Sequence, residues 1–146
     1  MREIKFRGKC ADKSVDEWLY GDLAQDFDGK HVRIISKNKE SKFFGMHIEV
    51  NPETVGQYTG LKDKTGKEIY EGDLLECMIG PYLNGKVGVM KYHVDRFEVK
   101  IYFQGQIFNY AIGRVPNYFR VVGNIIENPE LSPKVLVGVD YRIFYP

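Results

Sequence analysis

The chain opens on alternation. From Arg2 to Cys10, the apolar Ile4, Phe6 and Cys10 take one side, and Glu3, Lys5, Arg7 and Lys9 take the other. A period of two puts alternate side chains on opposite faces, so this stretch reads as a half-buried strand. Residues 11–16 are polar and turn-like, and residues 17–23 (EWLYGDL) read as a second strand. Asp28-Gly29 predicts a hairpin turn with positive φ at both central positions, returning through residues 31–36 (HVRIIS). Residues 37–42 (KNKESK) form a charged loop, and residues 43–50 (FFGMHIEV) another strand. Asn51-Pro52-Glu53 predicts one capped helical turn, and the same triplet recurs at Asn128-Pro129-Glu130.

The second half repeats the strand grammar. Residues 74–78 are short and apolar, 79–85 (IGPYLNG) form a loop, and 86–94 alternate again. Asp95-Arg96 is a tight connection. Phe97, Val99, Ile101 and Phe103 then form the cleanest period-two face, opposite Glu98, Lys100, Tyr102 and Gln104. Gly105 turns the chain into residues 106–112, residues 113–118 are loop, and 119–126 are the next strand. The tail has strand character at residues 135–137 and 141–145, suited to an added edge strand or to pairing with another copy. No segment keeps helical spacing over three turns, so no long helix is expected.

The predicted fold is therefore mainly β with little helix. Residues 1–56 form an N-terminal β-sheet lobe. Residues 57–131 form a small SH3-like or related β-barrel sharing a core with it, and 132–146 a strand-like extension. Composition agrees: Tyr, Phe and Val are plentiful, and 15 glycines serve the turns of a 146-residue chain. The 21 basic and 20 acidic residues nearly cancel, which gives no global attraction to nucleic acid or to an anionic membrane. No apolar run approaches the ~20 residues of a spanning helix, and MREIKFRGKC lacks the apolar stretch of a signal peptide. A cytoplasmic location is expected, with Cys10 and Cys77 as buried small hydrophobes rather than a disulfide.

Two stretches imitate a phosphate loop. In GLKDKTGKEIYEGD, residues 60–73, five residues separate Gly60 from Gly66 where the motif needs four. Glu68 stands at the hydroxyl position, and Gly72 breaks the helix whose N-terminus would hold the anion. The second, Gly80 to Lys86, has the right spacing, but Val87 replaces the hydroxyl and a strand follows. Both read as turns. His31, His47 and His93 are isolated, so no metal site is expected. No nucleophile elbow is present, and the Glu68, Glu71 and Asp73 group fits a turn better than paired-carboxylate catalysis. No catalytic, cofactor-binding or metal-ligating residue is assigned.

Four blocks carry a resemblance: MREIKFR at the start, WLYGDL at residues 18–23, VNPETVGQYTGLKDKTGKEIYEGD at 50–73, and VGNIIENPEL at 122–131. In this order they resemble the YopX protein family of phages and prophages. The blocks span about the first 131 positions, with residues 77–118 carrying less of the signal and the tail longer than the usual family ending. The resemblance implies a phage or prophage protein of a bacterial cytoplasm with a mainly β fold. It brings no catalytic residue, cofactor or substrate.

The functional expectation is a non-enzymatic accessory protein that binds a host or phage protein, or itself as a homo-oligomer. Its expected interaction surface is Tyr58, Lys62, Asp63, Lys64 and Tyr70, as hairpin-tip and aromatic positions on a rigid scaffold. The alternative is a single-stranded nucleic-acid binder using Lys37, Lys39 and Lys42 before Phe43 and Phe44, with Arg2, Lys5, Arg7 and Lys9. An enzyme assembled from distant residues is the third class.

Overall fold

Alternating sequence becomes antiparallel sheet. The computed structural model describes residues 2–133. It divides into two compact units, Met1–Gly60 and a second beginning at Leu61.

In the first unit, β1 (Phe6–Lys9) pairs with β2 (Trp18–Gln25), which pairs with β3 (Val32–Ser36), which pairs with β4 (His47–Val50). On its other side β1 meets β5 (Gly56–Lys62), with Phe6 opposite Gln57. β5 runs on past Gly60 into the second unit, where a hairpin leads into β6 (Glu68–Tyr70), its neighbour in the strand order. Leu19, Val32, Ile34 and Val50 are the buried core of this unit, with Phe6, Leu23, Phe43, Ile48 and Val55 packed against them.

In the second unit, β7 (Asp73–Cys77), β8 (Val87–His93), β9 (Arg96–Phe103) and β10 (Gln106–Ala111) form a meander. The last strand, β11 (Phe119–Asn124), returns to pair with β7, giving the order β10-β9-β8-β7-β11. The sheet is open: among the described residues its two edge strands do not pair with each other. Ile69, Leu75, Met90, Phe97, Val99, Ile101, Val115 and Phe119 are among its buried core residues. Of the four residues whose alternation predicted a face of β9, Phe97, Val99 and Ile101 are in this core and Phe103 is partly buried against it.

Four local expectations change. Asp28-Gly29 is not a two-residue turn with positive φ at both positions; only Gly29 has positive φ, at 68°. The Gly29 N–H donates to the Asp26 carbonyl and the Asp26 N–H to His31, so a longer loop closes on a left-handed glycine, the next commonest hairpin. Residues 43–45 turn rather than extend, because the Phe44 N–H donates to Ser41 and Gly45 takes φ 77°. Residues 112–118 are helical: a 3-10 turn (Ile112–Arg114) followed by α1 (Val115–Tyr118), with Val115 fully buried. The two Asn-Pro-Glu triplets do each make one 3-10 turn, but neither Asn side chain caps it.

The β8–β9 hairpin turns at Val94-Asp95, one residue earlier than expected, since His93 pairs with Arg96. Val94 takes φ 58° there and is 83% exposed. A β-branched residue at positive φ is strained, at a cost of about 1–3 kcal/mol. Val94→Gly is therefore expected to stabilise the chain by about 1 kcal/mol after the added backbone entropy of glycine. A urea midpoint followed by circular dichroism checks this, and a lower midpoint would contradict it.

On the polar face of β9, Glu98 and Lys100 are 2% and 6% exposed, so the second face of the strand is covered as well. Glu98 gathers two cations and an imidazole: Arg96 Nε at 3.3 Å, Lys100 Nζ at 3.4 Å and His93 Nδ1 at 3.6 Å. A buried carboxylate persists because it is paired.

Candidate functional site

The expected surface around the 63–67 hairpin is not a contiguous exposed face. Lys62 and Lys64 are exposed, but Tyr58, Asp63 and Tyr70 are buried, at 5%, 5% and 2%. The reason lies in the bonds they make. Lys5 Nζ stands 4.7 Å from the Tyr58 ring centroid, and the Tyr70 hydroxyl donates to Glu68 at 3.0 Å.

Asp63 is the hub of its turn. Its Oδ1 accepts from the Thr65 N–H at 2.8 Å, the Thr65 hydroxyl at 2.7 Å and the Lys67 N–H at 2.9 Å. Its Oδ2 accepts from the Val121 N–H on β11 at 2.7 Å. Burial pushes this carboxyl up. The bonds from Thr65, Val121 and Lys67 together outweigh that, and the net effect holds it below its ordinary value of 3.8. Gly66 takes φ 90°, and the Gly66 N–H closes the turn on the Asp63 carbonyl. Farther along, Asp73 Oδ2 accepts from the Tyr70 N–H at 2.8 Å, with Gly72 at φ 86° between them. The stretch that imitated a phosphate loop is thus two aspartate-anchored turns around a short strand. The second imitation is followed by β8 and not by a helix.

The basic segment of the first unit is largely neutralised. Lys5 pairs with Glu3 at 3.2 Å, Lys9 with Asp16 at 2.7 Å, Lys37 with Asp22 at 2.7 Å and Lys42 with Glu17 at 3.3 Å. Arg7 is buried, its guanidinium 5.0 Å from the Trp18 ring centroid. Lys42 also lies 4.9 Å from the Phe43 centroid, and Phe44 is 52% exposed. Partnered cations give little net field for a phosphate backbone.

The histidines are separate. His47 is exposed on β4, and His93 faces Glu98. His31 Nδ1 lies 2.9 Å from Glu49 Oε1. The hydrogen bond to Glu49 raises the His31 pKa above 6.5, and the charge of Glu49 adds to it; slight desolvation opposes, and Asp28 and Asp26 contribute further. Its small contribution to stability is fully present below the unfolded-state value and is lost as pH rises through the higher folded one. An NMR titration is expected to put the His31 midpoint above 6.5, and Glu49→Gln to bring it down; an unchanged midpoint in the variant would refute the pairing. Among the described residues no group of three His, Cys, Asp or Glu could hold a metal ion. Cys10 and Cys77 are both free and buried.

The second unit carries a concavity that sequence reading missed. A cleft of about 280 Å³ lies between the 79–83 loop and the β9–β10 hairpin, lined by Ile79, Gly80, Pro81, Tyr82, Leu83, Phe103, Gln104, Phe108 and Tyr110. The loop is held at both ends. The Cys77 N–H donates to Lys86, the Gly85 N–H to Cys77 and the Met78 N–H to Tyr118. Leu83 drops into the core at 8% exposure, while Tyr82 stands 78% exposed. On the far wall Phe103, Phe108 and Tyr110 pack partly against the core. The Tyr110 ring meets Phe119 edge-on at 5.4 Å, and Lys86 Nζ lies 4.6 Å from the Phe103 centroid. Burial first, and then the Cys77 thiol, push the Tyr110 phenol up, while Arg114 opposes. Its hydroxyl therefore stays a neutral hydrogen-bonding group. The lining is aromatic and apolar, with an amide, hydroxyls and backbone as polar handles, so it suits apolar, aromatic or proline side chains. In the sequence IGPYLNG reads as a loop that imitates a phosphate loop, and no spacing joins it to the aromatics of β9 and β10. The exposed Pro81-Tyr82 pair was the signal available.

No curated protein matches the chain. A crystal structure of protein EF1440 from Enterococcus faecalis is 27% identical, covering 90% of this chain and 99% of that one, with a TM-score of 0.45. The model of the family described as YopX protein matches residues 5–132, from the residue before β1 to the residue after the last 3-10 turn. A match of that length includes both units, and the chain belongs to the YopX family.

Proposed function

We propose that the protein works by binding, and that the aromatic cleft of the second unit receives apolar or proline side chains from a partner polypeptide. One observation carries the reading: Tyr82, with Pro81, stands out beside Phe103, Phe108 and Tyr110 on a loop pinned at both ends. Exposed aromatic rings on a rigid scaffold present large contact area with little conformational entropy to lose. In this reading the protein is a non-enzymatic accessory factor of a phage or prophage, acting in the bacterial cytoplasm. The second unit is a small SH3-like module. The four-strand meander, the helical turns after β10 and the return of β11 to β7 support that description.

Panning a displayed library of random peptides on the immobilised chain tests the proposal. Peptides rich in proline and large apolar residues are expected. Tyr82→Ala and Phe108→Ala should each weaken the selected peptides tenfold or more. Failure to enrich any peptide, or peptides indifferent to both substitutions, would refute the cleft as the binding site.

A further inference from the structure

The five-stranded sheet has two edges, and the chain treats them differently. At β11 the edge is occupied: the Phe119 carbonyl accepts from the Lys64 N–H at 3.3 Å, and the Val121 N–H donates to Asp63 at 2.7 Å. At β10 no strand of the described residues pairs with the outer side. The hairpin register shows which groups face out. The turn residues Gln104 and Gly105 both have positive φ, 50° and 76°, so Phe103 and Gln106 form the hydrogen-bonded pair that closes a two-residue turn. Antiparallel pairs alternate. Phe108 and Tyr110 therefore direct their backbone groups to β9, and Ile107, Asn109 and Ala111 direct theirs outward. The strand QIFNYA has neither charge nor proline, the common devices that blunt an edge. The side chains of Phe108 and Tyr110, meanwhile, line the cleft.

We infer that β10 is a strand-addition site. An extended segment of another polypeptide pairs with the backbone of Ile107, Asn109 and Ala111, and sets alternate apolar side chains into the cleft beside Phe108 and Tyr110. This rests on the binding reading above and supplies its mode. The edge itself selects the occupant. Donors and acceptors repeating every two residues along a line are matched together by another extended backbone, and a cleft on one face reads the side chains at i and i+2. An uncharged edge strand calls for an uncharged centre in the segment that joins it.

The test uses the full chain and a peptide from the panning, remade with a single backbone N-methyl group at successive positions. Loss of binding is expected to alternate, tenfold or more where the amide faces β10 and little at the positions between. Amide hydrogen exchange at Ile107, Asn109 and Ala111 is expected to be fast in the free chain and slow in the complex. If methylation shows no alternation, or these three amides gain no protection while Phe108→Ala still abolishes binding, strand addition falls and the cleft reading stands. If the three amides are already protected in dilute free protein, the chain covers its own edge and the inference is overturned. Protection that grows with concentration, with a dimer in sedimentation, makes a second copy the occupant and overturns it equally. If no peptide binds, both readings fall.

Discussion

Asp63→Asn is expected to destabilise the second unit by about 3 kcal/mol, despite being nearly isosteric. Both oxygens of Asp63 act only as acceptors: one takes Thr65 and Lys67, the other takes Val121. An asparagine has one acceptor oxygen and one NH₂ group. Either orientation sets that NH₂ against an N–H that needs an acceptor, at the Val121 position or at the Thr65 and Lys67 position. The pH dependence gives the cause a separate signature. The folded carboxyl titrates below its ordinary 3.8, so its contribution is fully present above that value and is lost as pH falls through the lower folded value. The stability gap between wild type and variant should therefore be constant near neutrality and narrow in acid. Urea titrations by circular dichroism at a series of pH values read this directly. A gap that does not change with pH would mean that the carboxylate charge plays no part.

A comparable loss is expected in the first unit from one methyl group. A Cβ at Gly21 would lie 1.9 Å from the Ile35 carbonyl oxygen and 3.1 Å from the Lys37 backbone nitrogen. Neither neighbour is the movable end of a side chain, so the β2–β3 ladder itself must separate. The Lys37 N–H also donates to Tyr20 beside that point, so the same separation strains a hydrogen bond. Gly21→Ala should cost about 3 kcal/mol or more, the upper range for overpacking. Trp18, the single tryptophan, lies on the same strand and reports the change. Its emission in a urea titration is expected to shift its midpoint down by on the order of 2 M. An unchanged midpoint would mean that the two strands separate there without cost.

The strands were legible because period-two alternation is a local property. Phe97, Val99 and Ile101 could be read as a core face from their spacing, and they are one. Alternation says nothing about whether the second face is covered, and Glu98 and Lys100 on that face are both buried. It was silent again on residues 112–118, where two helical turns are too short to show a period. The central block reads as turns and forms them, but the burial of Asp63 depends on Val121, fifty-eight residues away, and no local rule supplies that partner. The burial of Tyr58 and Tyr70 is tertiary in the same way. The cleft escaped because its two walls come from a loop and a hairpin whose approach no spacing records. The expected strands at residues 135–137 and 141–145 lie outside the described residues.

The central claim is that the cleft, and neither the 62–64 tip nor the 37–44 segment, is where this protein binds. A residue-by-residue map of amide chemical shifts in the full chain, with and without a selected peptide, tests it most directly. The account predicts changes concentrated at residues 79–83 and 103–111, with the 37–44 loop and Lys62–Lys64 undisturbed. Changes centred on either of those segments, with the cleft unmoved, would contradict it.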